Sequence, residues 1–415
     1  MGIRKVKAGS LQLVLFVGAV IAVLLFAFLL IAHAHRIFNT QTDITVSMIQ
    51  SCDRNMQQSL SKPFVPGRQT HTLGPEEGGM EISQETSYWG LLPLIKVSAR
   101  KGKMDFVKVA FAGRKDKARP ALYLQERQRP LVVVGDAQIV GNALLPQRGV
   151  KPGNIAGKGY RGRQLVYGTI SPSATRLPKT ERLDQVWGDL ASLPFEKGTL
   201  KLRQGLQVIR SFSAPPQLIE GGSLVLDDVQ LSGHIVIKAD REIRVRASAK
   251  LNDLILIAPK IVIDPGTVGN FQAFASRSIV VGEKVRLQYP TVLQVTHRNK
   301  GPENTMAPDI ELKTGADVRG MVLFEGFGDT PSYKANIKIH ENTLVQGEIY
   351  CTHRLELKGT VWGSVTTSGF IAMENGNSYQ NHLFNGIIDS SRLPEAYGGL
   401  DVGAPQPNTV VKWLY

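Results

Sequence analysis

GGSLVLDDVQLSGHIVIKADREIRVRASAKLNDLILIAPKIVIDPGTVGNFQAFASRSIVVGEKVRLQYP, residues 221–290, decides the fold. Within it the triplets Ile243-Arg244-Val245, Ile261-Val262-Ile263 and Ile279-Val280-Val281 begin eighteen residues apart. A second apolar set, Ile235-Val236-Ile237, Leu254-Ile255-Leu256 and residues 271–274, falls between them at nearly the same spacing. Strands of three or four residues cannot bury a core alone. Repeated at a fixed period and broken by Gly, Pro, Asn and Asp, they call for coils that stack and cover one another's inward side chains. The predicted fold class is mainly β, a β-helix (solenoid) ectodomain, with repeats over 221–392.

Downstream the rhythm sharpens. Val318-Arg319-Gly320-Met321-Val322, Val345-Gln346-Gly347-Glu348-Ile349 and Val361-Trp362-Gly363-Ser364-Val365 each read apolar-x-Gly-x-apolar, with starts 27 and then 16 residues apart. The longer gap holds a loop insertion at 326–333, and a polar Asn/Gly/Pro loop occupies 298–308. Glycine inside a strand allows close approach of neighbouring backbones. This rhythm resembles that of bactofilin-like, polymer-forming β-helix proteins, and the resemblance implies self-association, a homo-oligomer.

The chain opens differently. Residues 11–32 are a run of 22 with Gln12 as the one strongly polar side chain. At about 1.5 Å per helical residue it crosses a hydrocarbon core of roughly 30 Å. Its length favours a transmembrane helix over a cleaved secretory peptide, whose apolar core is about 7–15 residues, even though Ala32-His33-Ala34 has a cleavage-like look. Arg4, Lys5 and Lys7 form a basic leader within 1–10, which places the N-terminus in the cytoplasm and the bulk outside, in the periplasm of a bacterial inner-membrane protein. Ile44, Met48, Cys52, Met56 and Leu60 then recur every four residues, so one helix continues to residue 61 as an amphipathic stalk (33–62) packed on the folded body. Lys62-Pro63 ends it.

The start Lys5-Val6-Lys7-Ala8-Gly9-Ser10-Leu11 resembles type IV pilins and pseudopilins, in which a basic leader ending in Gly precedes an apolar helix whose outer half packs on a β-rich head. The resemblance implies processing at Gly9; Val14 stands at the fifth mature position, where those families usually carry Glu. The whole chain resembles bacterial single-pass membrane proteins that join such a start to a β-helix body.

Between stalk and repeats the sequence predicts a β-rich cap over 80–135, then a solenoid start over 136–220 that carries a basic loop and a helical insertion. Residues 137–145 already have the tempo of a coil. Gln164-Leu165-Val166-Tyr167 reads as a strand, and Leu183, Val186, Trp187 and Leu190 share one face of the inserted helix. Residues 393–415 form a C-terminal cap or tail.

Charge is concentrated. Of a formal +14 for 415 residues, residues 96–182 alone carry 19 Lys and Arg against 5 Asp and Glu. Such a field suits a polyanion, DNA or acidic polysaccharide, and equally a solvated surface. The candidate anion-binding residues are Arg148, Lys151, Lys158, Arg161 and Arg163 on the glycine-rich loop 146–168. Gly157-Lys158-Gly159-Tyr160-Arg161-Gly162 matches GxGxxG but does not lie between a strand and a helix, so dinucleotide binding is not expected.

No catalytic signature emerges. Asp227 and Asp228 would point to opposite faces of a strand. The eight histidines are scattered, and His234, His340 and His353 near coil edges read as solvated or hydrogen-bonded. There is no zinc-type Cys/His set, nucleophile elbow or phosphate loop. Cys52 and Cys351 lack metal-ligand spacing; Cys52, on the helical stripe, reads as a small buried hydrophobe, although one disulfide would be open to an exported chain. The expectation is therefore no cofactor, no metal and no catalytic residue. Partners would be the lipid bilayer, envelope or pilus-like proteins and further copies of the chain. A polyanion-binding module is the alternative function, with a polysaccharide lyase or hydrolase a more distant one.

Overall fold

The computed structural model describes residues 8–73, 79–115, 119–179, 181–297, 307–327, 333–400 and 407–414. The basic leader at 1–7, most of the 298–308 loop and the centre of the 326–333 insertion lie outside them. The chain divides into two compact units.

The first unit comprises residues up to 57 with 69–84 and 97–107. Its helix α1 belongs to Ala8–Ser61, one continuous 54-residue element. Residues 9–43 are exposed throughout, including Leu11, Phe16, Leu24, Phe28 and Leu30, so this half has no protein to pack on. Among the described residues one helix is thus long and apolar enough to span a membrane. Further along, Met48, Cys52 and Met56 are buried together with Met80, Ile82, Val97 and Ala99, and the Cys52 Sγ lies 3.9 Å from the Val97 carbonyl oxygen. The four-residue stripe thus packs on a sheet, as its spacing predicted. A five-stranded sheet has the order Gly67–Thr72, Glu81–Trp89, Leu92–Lys101, Met104–Arg114, Asn408–Leu414.

The second unit, residues 58–68, 85–96 and 108–415, is mainly parallel β. Triplet pairs with triplet in register. Ile243 lies beside Ile261, Ile261 beside Ile279, Ile279 beside Ile310, Ile310 beside Ile337, Ile337 beside Leu355 and Leu355 beside Phe370. All are buried, and each contributes about 1.5–3 kcal/mol relative to exposure. The middle residues Arg244, Val262 and Val280 alternate outward and are only partly covered.

The pairing also closes. Val268–Val281 hydrogen-bonds to both Arg286–Thr296 and Ile310–Leu312; these continue through Asp317–Glu325 and Ile337–Ile339 to meet at Leu344–Leu357, a ring of six parallel strands. A register shift between Ala275 and Ser278 marks the bend that lets Val268–Val281 serve two faces of the ring.

The apolar-x-Gly-x-apolar motif forms a ladder of close backbones. Gly320, Gly347 and Gly363 stack in register with φ of 140°, 146° and 151°. A Cβ on Gly347 would sit 1.9 Å from the Gly320 carbonyl oxygen, and one on Gly363 1.9 Å from that of Gly347.

One row, inward except at its exposed last member Ile170, shows the order of strands in space. It runs Ile219, Ile237, Leu256, Ala273, Leu293, Val322, Ile349, Val365, and then returns to Leu122, Ala143 and Ile170. Of the residues expected to begin the body ahead of 221, those at 207–220 do so, whereas 138–145 and 170–172 stack beyond its far end. The reason is local: Asn375 and Gly376, both at positive φ, form a two-residue turn that sends Asn377–Gln380 back antiparallel on Thr360–Glu374. The next parallel strand on that face comes from Leu122–Leu124. Leu131–Val134, placed with the cap by sequence, likewise pairs with His382–Phe384 and Val150–Pro152 in the parallel body.

Outward residues of the body are covered too. Helix α2 (Glu181–Ala191) buries Leu183, Val186 and Leu190 in one apolar cluster with Phe274, Val292, Met321, Leu323 and Tyr350. The C-terminal segment crosses the glycine ladder: the Tyr397 hydroxyl donates to the Gly320 carbonyl at 3.2 Å, and the Leu400 N–H donates to Glu348 Oε2 at 2.8 Å. Glu348 also pairs with Arg119 at 2.8 Å. Asn408–Leu414 ends the chain antiparallel to Met104–Arg114.

Candidate functional site

At one corner of the parallel body the backbone steps through Phe324, Cys351, Thr367 and Leu124 in successive register pairs. The residues just past these positions, Glu325, Thr352, Ser368 and Gln125, open onto a cleft of about 880 Å³. Because Leu122–Leu124 stacks there, the loop after it carries Arg127 and Arg129 into the same cleft. The segment leading to α2 adds Arg176 and Lys179, held by the Tyr350 hydroxyl donating to the Pro178 carbonyl at 3.1 Å and the Tyr123 hydroxyl donating to that of Arg176 at 3.1 Å. Packing of Leu183 sets Asp184 at the rim.

Five cationic side chains, Arg127, Arg129, Arg176, Lys179 and Arg354, thus face two carboxyls, Asp184 and Glu325. Arg127 Nε donates to Gln125 Oε1 at 3.3 Å and Arg129 Nη1 to Gln380 Oε1 at 2.9 Å, so both guanidiniums are oriented by neutral amides. Burial, reinforced by the charge of Asp184 and a hydrogen bond with it, pushes Glu325 up to about 7, against the opposing pull of Lys179. With both carboxyls ionised, the buried Glu325 Oε2 has no donor. The protonated form of Glu325, favoured by burial and by the charge of Asp184, is the one that suits this site. Burial likewise pushes the Tyr350 hydroxyl up to about 12.

The loop residues singled out from sequence lie elsewhere. Arg148, Lys151, Lys158, Arg161 and Arg163 are all exposed and none lines the cleft. Lys158 Nζ stands 3.6 Å from Glu374 Oε1 and over the Phe384 ring, and Arg161 pairs with Asp136. Lys158–Gly159 pairs antiparallel with Asn154–Ile155 and no helix follows, so the GxGxxG string lacks the geometry of a phosphate loop. The strand expected at Gln164–Tyr167 does not form; Tyr167 makes an isolated parallel bridge with Val140, because the flanking residues arch away without a ladder partner. Gly9 lies in the first turn of α1.

His234, His340 and His353 are each hydrogen-bonded within the body. His234 Nδ1 meets the Ala214 carbonyl oxygen at 2.6 Å, with its ring against Trp89 and Phe212, and burial holds it down at about 4. His340 pairs with Glu311 at 2.8 Å. His353 Nδ1 lies 2.9 Å from the Thr352 hydroxyl, on the cleft wall. Cys52 and Cys351 are buried thiols not joined by a disulfide, and burial pushes Cys351 up to about 12. Among the described residues no group of three His, Cys, Asp or Glu is placed to hold a metal ion.

Sequence reasoning did locate the basic stretch from which four of the five cations come. It missed Glu325, Asp184 and Arg354, which only the register of distant strands brings to one corner. Comparison of the chain with protein-family models, with curated proteins and with solved structures returns no match.

Proposed function

We propose that this chain is a membrane-anchored, non-enzymatic scaffold. The N-terminal half of α1 crosses the bacterial inner membrane with its start in the cytoplasm. The parallel body winds as a β-helix in the periplasm and serves a cell-envelope or pilus-like assembly. One observation carries the reading: a single helix is bare and apolar through its first half and seated on a sheet through its second. That is the build of a stalk in lipid. In-register glycines and eighteen-residue triplets support the β-helix winding and the likeness to bactofilin-like and pilin-like chains.

The test uses intact cells that express the full chain with a C-terminal epitope. Externally added protease should remove the epitope from spheroplasts, and crosslinking should trap further copies or envelope proteins. An epitope shielded until lysis overturns the topology, and a body that crosslinks to nothing overturns the assembly role. Processing belongs to the same reading, and N-terminal sequencing of the membrane-bound protein should begin at Ser10.

A second reading, binding of a polyanion, is favoured by the convergence of Arg127, Arg129, Arg176 and Lys179 from the basic stretch onto one cleft. Binding of any polyanion there should weaken steeply as salt rises.

A further inference from the structure

We propose that the cleft bounded by Arg127, Arg129, Arg176, Glu325 and Asp184 binds an acidic glycan, a short run of uronic-acid units. This rests on the polyanion-binding reading and adds the class of ligand. Four features of the cleft select that class.

Size comes first. At about 880 Å³ the cleft has the dimensions of a ligand pocket and encloses a short oligomer, whereas a nucleic-acid duplex would need a broad open face. Second, the guanidiniums are planar forks, suited to bidentate pairing with carboxylates, and Arg127 and Arg129 are held in place by neutral amides. Third, the wall carries a carboxyl pair, Asp184 and Glu325, that can accept from sugar hydroxyls. Fourth, single-stranded nucleic acid is gripped by successive aromatic platforms, and the cleft offers one well-exposed ring, Phe327, while Tyr350 and Phe370 are buried in the wall. One apolar face beside hydroxyl-binding groups suits the two-sided chemistry of a pyranose.

The experiment titrates the full-length protein in detergent micelles with fluorescent oligogalacturonate. In parallel it uses the methyl-esterified oligomer, a single-stranded oligonucleotide and inorganic polyphosphate of matched length. Oligogalacturonate should bind, the esterified form should bind at least about tenfold more weakly, and R127A/R129A should weaken binding by roughly tenfold or more. The comparison variant K151A/R163A, outside the cleft, should bind as the parent does, and unchanged melting of R127A/R129A checks that it is folded. Preference for oligonucleotide or polyphosphate overturns the glycan assignment and leaves the polyanion reading standing. No binding of any probe overturns both. Oligogalacturonate binding that survives R127A/R129A unchanged overturns the assignment to this cleft.

Discussion

Glu325 and Gly347 show how much a single position is asked to do here. Glu325 is protonated in the fold at pH values where the unfolded chain has already released its proton, because burial and Asp184 raise it to about 7. Between roughly pH 4.5 and 7 the native state therefore binds more protons than the unfolded one, and this group's contribution to stability is lost as pH rises. Glu325→Gln removes that contribution. The melting temperature of the variant minus that of the parent should climb from pH 5 to pH 8, and a constant difference would contradict the assignment. His234, held at about 4, acts the other way, costing stability as pH falls from 6.5, but it is common to both proteins and cancels. Gly347→Ala is a purely steric case. Its φ of 146° and the Gly320 oxygen 1.9 Å from the added Cβ leave no room, so the variant should lose roughly 3 kcal/mol in chemical denaturation. Gly369, with nothing within 4 Å of an added Cβ, should accept alanine with a much smaller loss.

At the scale of elements, α2 has Gly188 mid-helix with open space around it. Gly188→Ala should therefore stabilise the protein by about 1 kcal/mol, read as a rise in denaturation midpoint. The same helix shows what sequence makes legible. Leu183, Val186, Trp187 and Leu190 announce its buried face by spacing alone, as Met48, Cys52 and Met56 announce that of α1. The triplets at 243, 261 and 279 announce their pairing because alternation and period are written into each strand. Neighbourhood is not written there. Residues 137–145 have the tempo of any repeat, and nothing in Ile139 or Leu145 says which strand lies beneath. The cleft inherits that blindness: Arg127 and Glu325 line one cleft because Leu124 lies beside Thr367, a pairing with no local signal, whereas Arg148 to Arg163 stand out merely by lying close together in the chain.

Across the whole molecule the row from Ile219 to Ile170 is continuous in space and broken in sequence, with Val365 lying beside Leu122. If that stacking holds the column's far end, the two residues should be energetically coupled. Leu122→Ala and Val365→Ala should together cost less than the sum of the single variants, with an interaction of at least about 0.5 kcal/mol in a double-mutant cycle. Strict additivity would mean that the two are not neighbours.

That break in sequence has a bearing on biosynthesis. Leu122 and Ala143 leave the ribosome more than two hundred residues ahead of Val365, whose strand they must cover. During synthesis the early segment has apolar side chains and strand edges waiting for a partner not yet made. The column cannot be sealed from one end to the other in the order of translation, so closure is a late, post-translational event. A holding chaperone would have its natural client in the half-made chain.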